Sequence, residues 1–415
     1  MDRRNFIKAA SAAGCLAPFS GISNLACATQ APSHPLLITV FLRGGADGLN
    51  LVAPTSDPNY VAARPPELRV LESGEYAGSL IEHTLDPTAG FRLHHSAGPL
   101  SSLYQAGRLA IVHAVGLTDG TRSHFVAQDL IERGINDEKH MTRIDSGWLA
   151  RSLADVNGLV SGYSATPATA FAMHGLASAL STPDISTALG IPWGKATSDL
   201  LRALNIEGTT PVHRAGLKAL QLLESVERNI PRDAAGKIVP YVPSGARSHE
   251  GSGDFSRTLS SVARLAKMDV GLSAACVDHG GWDTHEGQQG RFANQVRQLS
   301  LGLAAFHDDM AAAGRKIIVV VMTEFGRRLR ANKSGGTDHG HGGCWLVLGD
   351  TVVGGRMYGR WPGLTTQALD QGVDLAVTTD YRAVLSEVLR ASGLSTKGTF
   401  PDWRPVTSLG LFESL

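Results

Sequence analysis

The sequence predicts an α/β protein built on a mostly parallel sheet, and two patterns carry that reading. Short, wholly apolar runs recur along the chain: LLITVFL (36–42), LAIVHAV (109–115), LSAACV (272–277), KIIVVVM (316–322) and CWLVLG (344–349). Continuous hydrophobicity, rather than in–out alternation, marks strands covered on both faces, as in parallel sheets. Between the runs lie helical stretches, SHFVAQDLIERG (123–134) and RFANQVRQLSLGLAAFHDDMAAAG (291–314), with DYRAVLSEVLRASG (380–393) near the end. Strand and helix in alternation define an α/β sandwich.

The whole chain of 415 residues, 43% hydrophobic, is long enough for a sizeable core. Residues 29–415 read as one domain with a cap or insertion at about 176–260. In that segment HRAGLKALQLLESVERN (213–229) forms a charged amphipathic helix beside Pro/Gly/Ser-rich stretches. The 38 basic and 38 acidic side chains balance, and no basic patch is interleaved with aromatics, which excludes nucleic acid as a partner.

Residues 1–28 stand apart from the fold. Arg3 and Arg4 precede Phe6, Ile7 and Lys8, an alanine-rich stretch follows, and Ala26-Cys27-Ala28 closes it with a small-x-small pattern. The segment resembles a twin-arginine signal, which implies the Tat translocase as a partner and a periplasmic or otherwise exported location. Pro18 interrupts the short apolar stretch, so no stable membrane span is expected. Only Cys276 and Cys344 remain beyond this segment, both in apolar runs, where they read as small packing residues and not as a disulfide framework.

In doubly wound sheets, ligands bind beyond the carboxyl ends of the strands. After the first run comes RGGADGLN, with Arg43 and Asp47. After the second comes GLTDGTRSHF, with Arg122, Ser123 and His124. After the third comes DHGGWDTHEGQ, with Asp278, His279, Asp283 and His285. After the fourth come TEFGRR and GTDHGHGG, with Glu324, Arg327, Asp338, His339 and His341. Carboxylates and imidazoles converging on one edge suit a divalent cation: zinc, manganese, calcium or magnesium, as one or two ions. Ser123 at a helix start is the candidate nucleophile, and Arg43, Arg122 and Arg327 are the candidates for holding an oxyanion. His94, His95 and His113 read as structural.

Taken in order, FLRGGADGLN, RSHFVAQ, GGWDTHEGQ, TEFGRR and GTDHGHGG resemble the DUF1501 family of exported bacterial proteins. That family is similar in fold to the alkaline phosphatase-like superfamily, alongside sulfatases and phosphodiesterases. The resemblance implies a three-layer α/β/α sandwich, alkaline phosphatase-like, with a paired metal site at the strand ends. It implies ligand roles for Asp47, Asp283, His285 and Glu324, with His339 or His341 completing the set, and attack by Ser123; Asp338 joins the metal candidates from its place in the same loop. Phe325 departs from the pattern, because it stands where a histidine is usual. The implied activity is hydrolysis of phosphate or sulfate esters, small-molecule or polysaccharide, by in-line displacement. The alternative is a non-catalytic envelope binding protein on a retained alkaline phosphatase-like fold.

Overall fold

A computed structural model describes residues 34–415, apart from 187–190, 192, 248–250, 402, 405–406 and 414–415. The signal segment at 1–28 lies outside the described residues. The apolar runs become the strands of a nine-stranded central sheet. In chain order its strands are β1 (Leu36–Leu42), β2 (Leu109–Gly116), β3 (Gly162–Ser164), β4 (Ala179–Ser181), β5 (Ala274–His279) and β6 (Ile317–Met322). A hairpin of β7 (Arg327–Ala331) and β8 (Thr337–His339) follows, outside this sheet. The central sheet is completed by β9 (Gly343–Gly349), β10 (Arg356–Tyr358) and β11 (Thr379–Asp380).

Across the sheet the order is β10-β2-β9-β6-β1-β5-β3-β4, with β11 also on β2. β1 pairs in parallel with β5 and β6, and β3 joins β5 and β4 in the same sense. The exception is β9, which runs antiparallel to both β2 and β6. An apolar run carries no direction, so only the structure shows this reversal. It matters for the site, because an antiparallel strand starts at the edge where its parallel neighbours end. The loop entering β9, residues 340–342, therefore lies beside the carboxyl ends of β1, β5 and β6.

Helices cover both faces of the sheet. The longer ones are α1 (Gly98–Gln105), α2 (His124–Arg133), α3 (Lys195–Ile206), α4 (Pro211–Asn229), α5 (Gly253–Ala266), α6 (Gln288–Ala312) and α7 (Tyr381–Ala391). Leu36, Ile38, Val40 and Leu42 of β1 pack with Leu100 of α1, Leu259 of α5 and Phe292 and Leu299 of α6. Leu37 and Phe41 point the other way, to Leu130 and Ile131 of α2 and Val384 and Leu385 of α7. Alternate residues of one strand thus feed two cores, which makes the three-layer α/β/α sandwich.

The segment at 176–260 is mixed. β4 extends the central sheet, α3 and α4 pack on each other, and α5 packs on α6. No described helix is long and apolar enough to cross a membrane. Cys276 and Cys344 are free and buried. His113 is fully buried, its Nε2 3.0 Å from the Val52 carbonyl, and His94 accepts from the Ser96 amide, so both histidines serve the fold.

Candidate metal centre

Three histidines point one ring nitrogen each at Asp283. Asp283 and His285 lie on the loop after β5, His339 ends β8, and His124 opens α2. The Asp283 Oδ1 atom is 3.0 Å from His285 Nε2, 3.2 Å from His339 Nε2 and 3.6 Å from His124 Nε2. His124, Asp283 and His339 offer one ligand atom each within 4.8 Å of one another, a group able to hold a metal ion. His285 Nε2 stands 2.9 Å from His339 Nε2 and joins the same cluster.

The opposite nitrogen of each ring is held by an acceptor. His124 Nδ1 is 2.7 Å from Glu324 Oε1, His285 Nδ1 is 3.1 Å from Asp338 Oδ1, and His339 Nδ1 is 2.9 Å from the Arg122 carbonyl. A carbonyl and ionised carboxylates only accept, so these contacts place an N–H on Nδ1 of each ring. The three Nε2 atoms face inward, toward Asp283 Oδ1. Two of them, on His285 and His339, stand 2.9 Å apart. His124 Nε2 is buried and has no hydrogen-bond partner. Imidazole nitrogens gathered on one carboxylate oxygen are held there by shared protons or by a cation, and outer acceptors on the far nitrogen are the usual support of histidine metal ligands. This donor set fits a divalent cation.

The electrostatics keep the acids ionised. Burial works to raise the Asp283 carboxyl, but the hydrogen bond and charge of Arg327, and then His339, outweigh it and hold it below the usual range. Burial also opposes ionisation of Glu324, and the bonds from His124, Gln128 and the Gly44 amide prevail and lower it. Bonds from Asn332 and His285 lower Asp338. The hydrogen bond to Glu324 raises His124, whereas burial lowers His339.

Backbone form makes the cluster possible. Gly44 and Gly45, after β1, have φ of 121° and 66°. A Cβ on Gly44 would stand 2.5 Å from the Asp283 amide nitrogen, and one on Gly45 would stand 2.5 Å from the Phe325 ring. Phe325 in turn packs its ring 4.9 Å from that of His124 and 5.0 Å from that of His339.

Several expected site residues have other work. Asp47 is fully buried and bound at two points by Arg64, with Gln288 Nε2 at 2.7 Å, so its oxygens face a guanidinium and not the cluster. Glu324 accepts from His124, Gln128 and Gly44 and acts as an outer support. Asp338 holds the far side of His285 in the same way. His341 is turned away, with Nδ1 2.9 Å from Asp370 and Nε2 2.9 Å from the Leu117 carbonyl.

The arginines are engaged too. Arg43 binds Glu132 and Asp278, Arg122 binds Asp374, and Arg327 is buried with its donors on Gly44, Gly45, Trp282, Thr337 and Asp283. Arg43 and Arg327 have all their nitrogens engaged, whereas Arg122 spends Nε and Nη2 on Asp374 and keeps Nη1. Ser123 is exposed at the start of α2, and its side chain makes no capping bond. It lies between Arg122, whose carbonyl holds His339, and His124 itself.

Sequence reasoning leaves His124 without a role, along with Gln128, Gln288 and Arg64. The signal for the first two is present: His124 and Gln128 are four residues apart on one helical face, and both reach Glu324. Nothing local in AARPPE marks Arg64 as the partner of Asp47.

Residues 245–394 match the family described as a protein of unknown function, DUF1501. The DUF1501 resemblance carried by the motifs is borne out over that segment, which contains Asp283, His285, Glu324, Asp338, His339 and His341. No curated protein matches the chain in sequence. Among solved structures, the chain is similar to the C-terminal periplasmic domain of EcEptC from Escherichia coli in complex with zinc. The identity is 9%, 91% of this chain and 90% of that chain are covered, and the TM-score is 0.39. A TAB5 alkaline phosphatase mutant with magnesium bound is 9% identical, over 88% of this chain and 99% of that one, at a TM-score of 0.34. Phosphonoacetate hydrolase from Sinorhizobium meliloti 1021, in complex with phosphonoformate, is 11% identical, over 72% and 57%, at a TM-score of 0.28.

Proposed function

We propose that this chain is an exported, metal-dependent hydrolase of phosphate or sulfate esters. The observation that carries the reading is the meeting of three inward Nε2 atoms at Asp283 Oδ1, each ring held from behind by its own acceptor. A divalent cation bound there would polarise an ester oxygen and favour ionisation of a hydroxyl beside it. His124, Asp283, His285 and His339 would hold it. Glu324, Asp338 and the Arg122 carbonyl keep the imidazoles in the tautomer that binding requires. Ser123 is the candidate attacking hydroxyl, next in the chain to His124. The first-turn amides of α2 lack intrahelical acceptors and provide donors for the negative charge of a phosphoryl or sulfuryl group. The twin-arginine reading of residues 1–28 agrees with a protein that folds around its metal before export.

One observation favours the rival reading of a non-catalytic binding protein. Arg43 and Arg327 spend their guanidinium groups on acids and carbonyls of the chain, and Arg122 commits two of its three nitrogens to Asp374. The experiment loads the chain with zinc, manganese, magnesium or calcium and presents a panel of phosphate and sulfate esters to wild type, Ser123→Ala and Asp283→Ala. Hydrolysis lost in both variants, with metal retained in Ser123→Ala and lost in Asp283→Ala, supports the hydrolase. Stoichiometric metal with no turnover of any ester transfers the assignment to the binding protein.

A further inference from the structure

We infer that the centre takes a single metal ion, because two buried arginines supply the positive charge that a second ion would bring. The inference rests on the metal centre proposed above and departs from the paired site that the family resemblance implies. Asp47, Glu324 and His341, three of the groups expected as ligands, are already committed. Asp47, the acid after β1, has both oxygens on Arg64, at 2.6 and 3.0 Å, and neither side chain has any solvent exposure. Gln288, the first residue of α6, closes the remaining approach at 2.7 Å and is itself fixed by Thr284 and Thr337. The oxygens of Glu324 receive His124, Gln128, the Gly44 amide and Thr323. His341 has both nitrogens engaged 2.9 Å from acceptors of its own.

The space between the Gly44–Gly45 turn and Asp283 holds a cation already. Arg327, 1% exposed, lies there with Nε 2.6 Å from the Gly45 carbonyl and Nη2 2.5 Å from Asp283 Oδ1. Phe325, in the place of the usual histidine, offers no lone pair and fills the wall between this turn and the rings of His124 and His339. The permanent guanidinium charge of Arg64, bound to both oxygens of Asp47, would repel a second divalent ion at any site that uses Asp47. The remaining donors, three imidazoles and one carboxylate, match one ion: they fill a tetrahedral site and leave a position open only where the ion takes five or six ligands.

The test is a cobalt(II) titration of the metal-free full chain, followed by visible absorption and by native mass spectrometry. Saturation at one ion per chain is expected, with the same stoichiometry and affinity in Asp47→Asn, where the Arg64 and Gln288 contacts keep an acceptor. Two ions at saturation in the wild type would leave the metal centre standing and overturn this inference. So would a clear loss of cobalt affinity in a folded Asp47→Asn, since that would make Asp47 a ligand. No cobalt uptake at all would remove the metal centre itself, and the inference with it. The wild-type titration decides the matter even if the variant does not fold.

Discussion

Asp47 and Arg64 form a two-point ion pair, Nη1 to Oδ2 at 2.6 Å and Nη2 to Oδ1 at 3.0 Å, with both side chains shut off from solvent. Arg64 also donates to the Leu329 and Arg328 carbonyls, so this guanidinium ties the loop after β1 to the β7 hairpin. Removing one partner of such a pair leaves a buried charge without compensation, which costs about 3–5 kcal/mol. Arg64→Ala is therefore expected to lower stability by that order, while Arg64→Ala/Asp47→Leu recovers much of the loss. Urea unfolding of the two variants checks this, and equal stability of Arg64→Ala and wild type would contradict the role given to the pair.

Gly44 couples backbone strain to the centre. Its φ of 121° disfavours any side chain, and an added Cβ would meet the backbone of Trp282 and Asp283, which cannot swing aside as a side-chain tip can. Gly44→Ala is expected to cost about 1–3 kcal/mol. It should also weaken metal binding, because the displaced atoms carry Asp283. Thermal unfolding and cobalt titration on the same preparation measure both effects. Lost stability with unchanged affinity would uncouple the turn from the cluster.

How far the sequence reveals this molecule depends on what kind of information each feature needs. The five apolar runs all become central strands, because burial on both faces demands continuous hydrophobicity whatever the neighbours are. Their pairing is harder to read: nothing in CWLVLG distinguishes a parallel strand from the antiparallel β9. The convergence of acids and imidazoles at strand ends is likewise visible, since it follows from topology. Which atoms face one another is not. His339 and His341 stand two residues apart, at the end of β8 and just beyond it, yet the first turns to Asp283 and the second to Asp370. Asp47 resembles an open ligand until Arg64, brought against it by the fold, closes it. Composition shows which donors are available, and only tertiary contacts show which remain free.

Glu324 acts through His124, and its replacement should show that indirectness. Glu324→Gln keeps the size and one acceptor oxygen but loses the charge that orients the His124 imidazole at 2.7 Å. Loss of an outer partner of this kind weakens metal binding by about 10- to 100-fold without abolishing it. Asp283→Ala, which removes a direct ligand, is expected to lose more. Calorimetric titration with zinc ranks the two. Equal losses would place Glu324 among the direct ligands.

Acid should destabilise the metal-free fold well before its carboxylates titrate. Burial lowers His113 and His279 to about 4, and burial with the neighbouring His95 lowers His94 to about 3. For a depressed group, the unfolded chain binds the proton first. The stabilisation is full above the ordinary histidine value near 6.5 and is lost as pH falls from there through the folded value. Each of these buried rings then costs on the order of 2 kcal/mol by pH 5. His124, raised by Glu324, works in the opposite sense, its contribution being present at low pH and lost as pH rises through its elevated value. With His95 and His339, which burial also lowers, five imidazoles stand against one and leave a net loss on acidification. Urea midpoints measured in chelator at pH 7.5 and pH 5 should fall steeply toward the lower pH, and His113→Phe should flatten that dependence by removing one of the titrating rings. A midpoint that stays level across this range would mean that the three imidazoles take up protons within the folded protein.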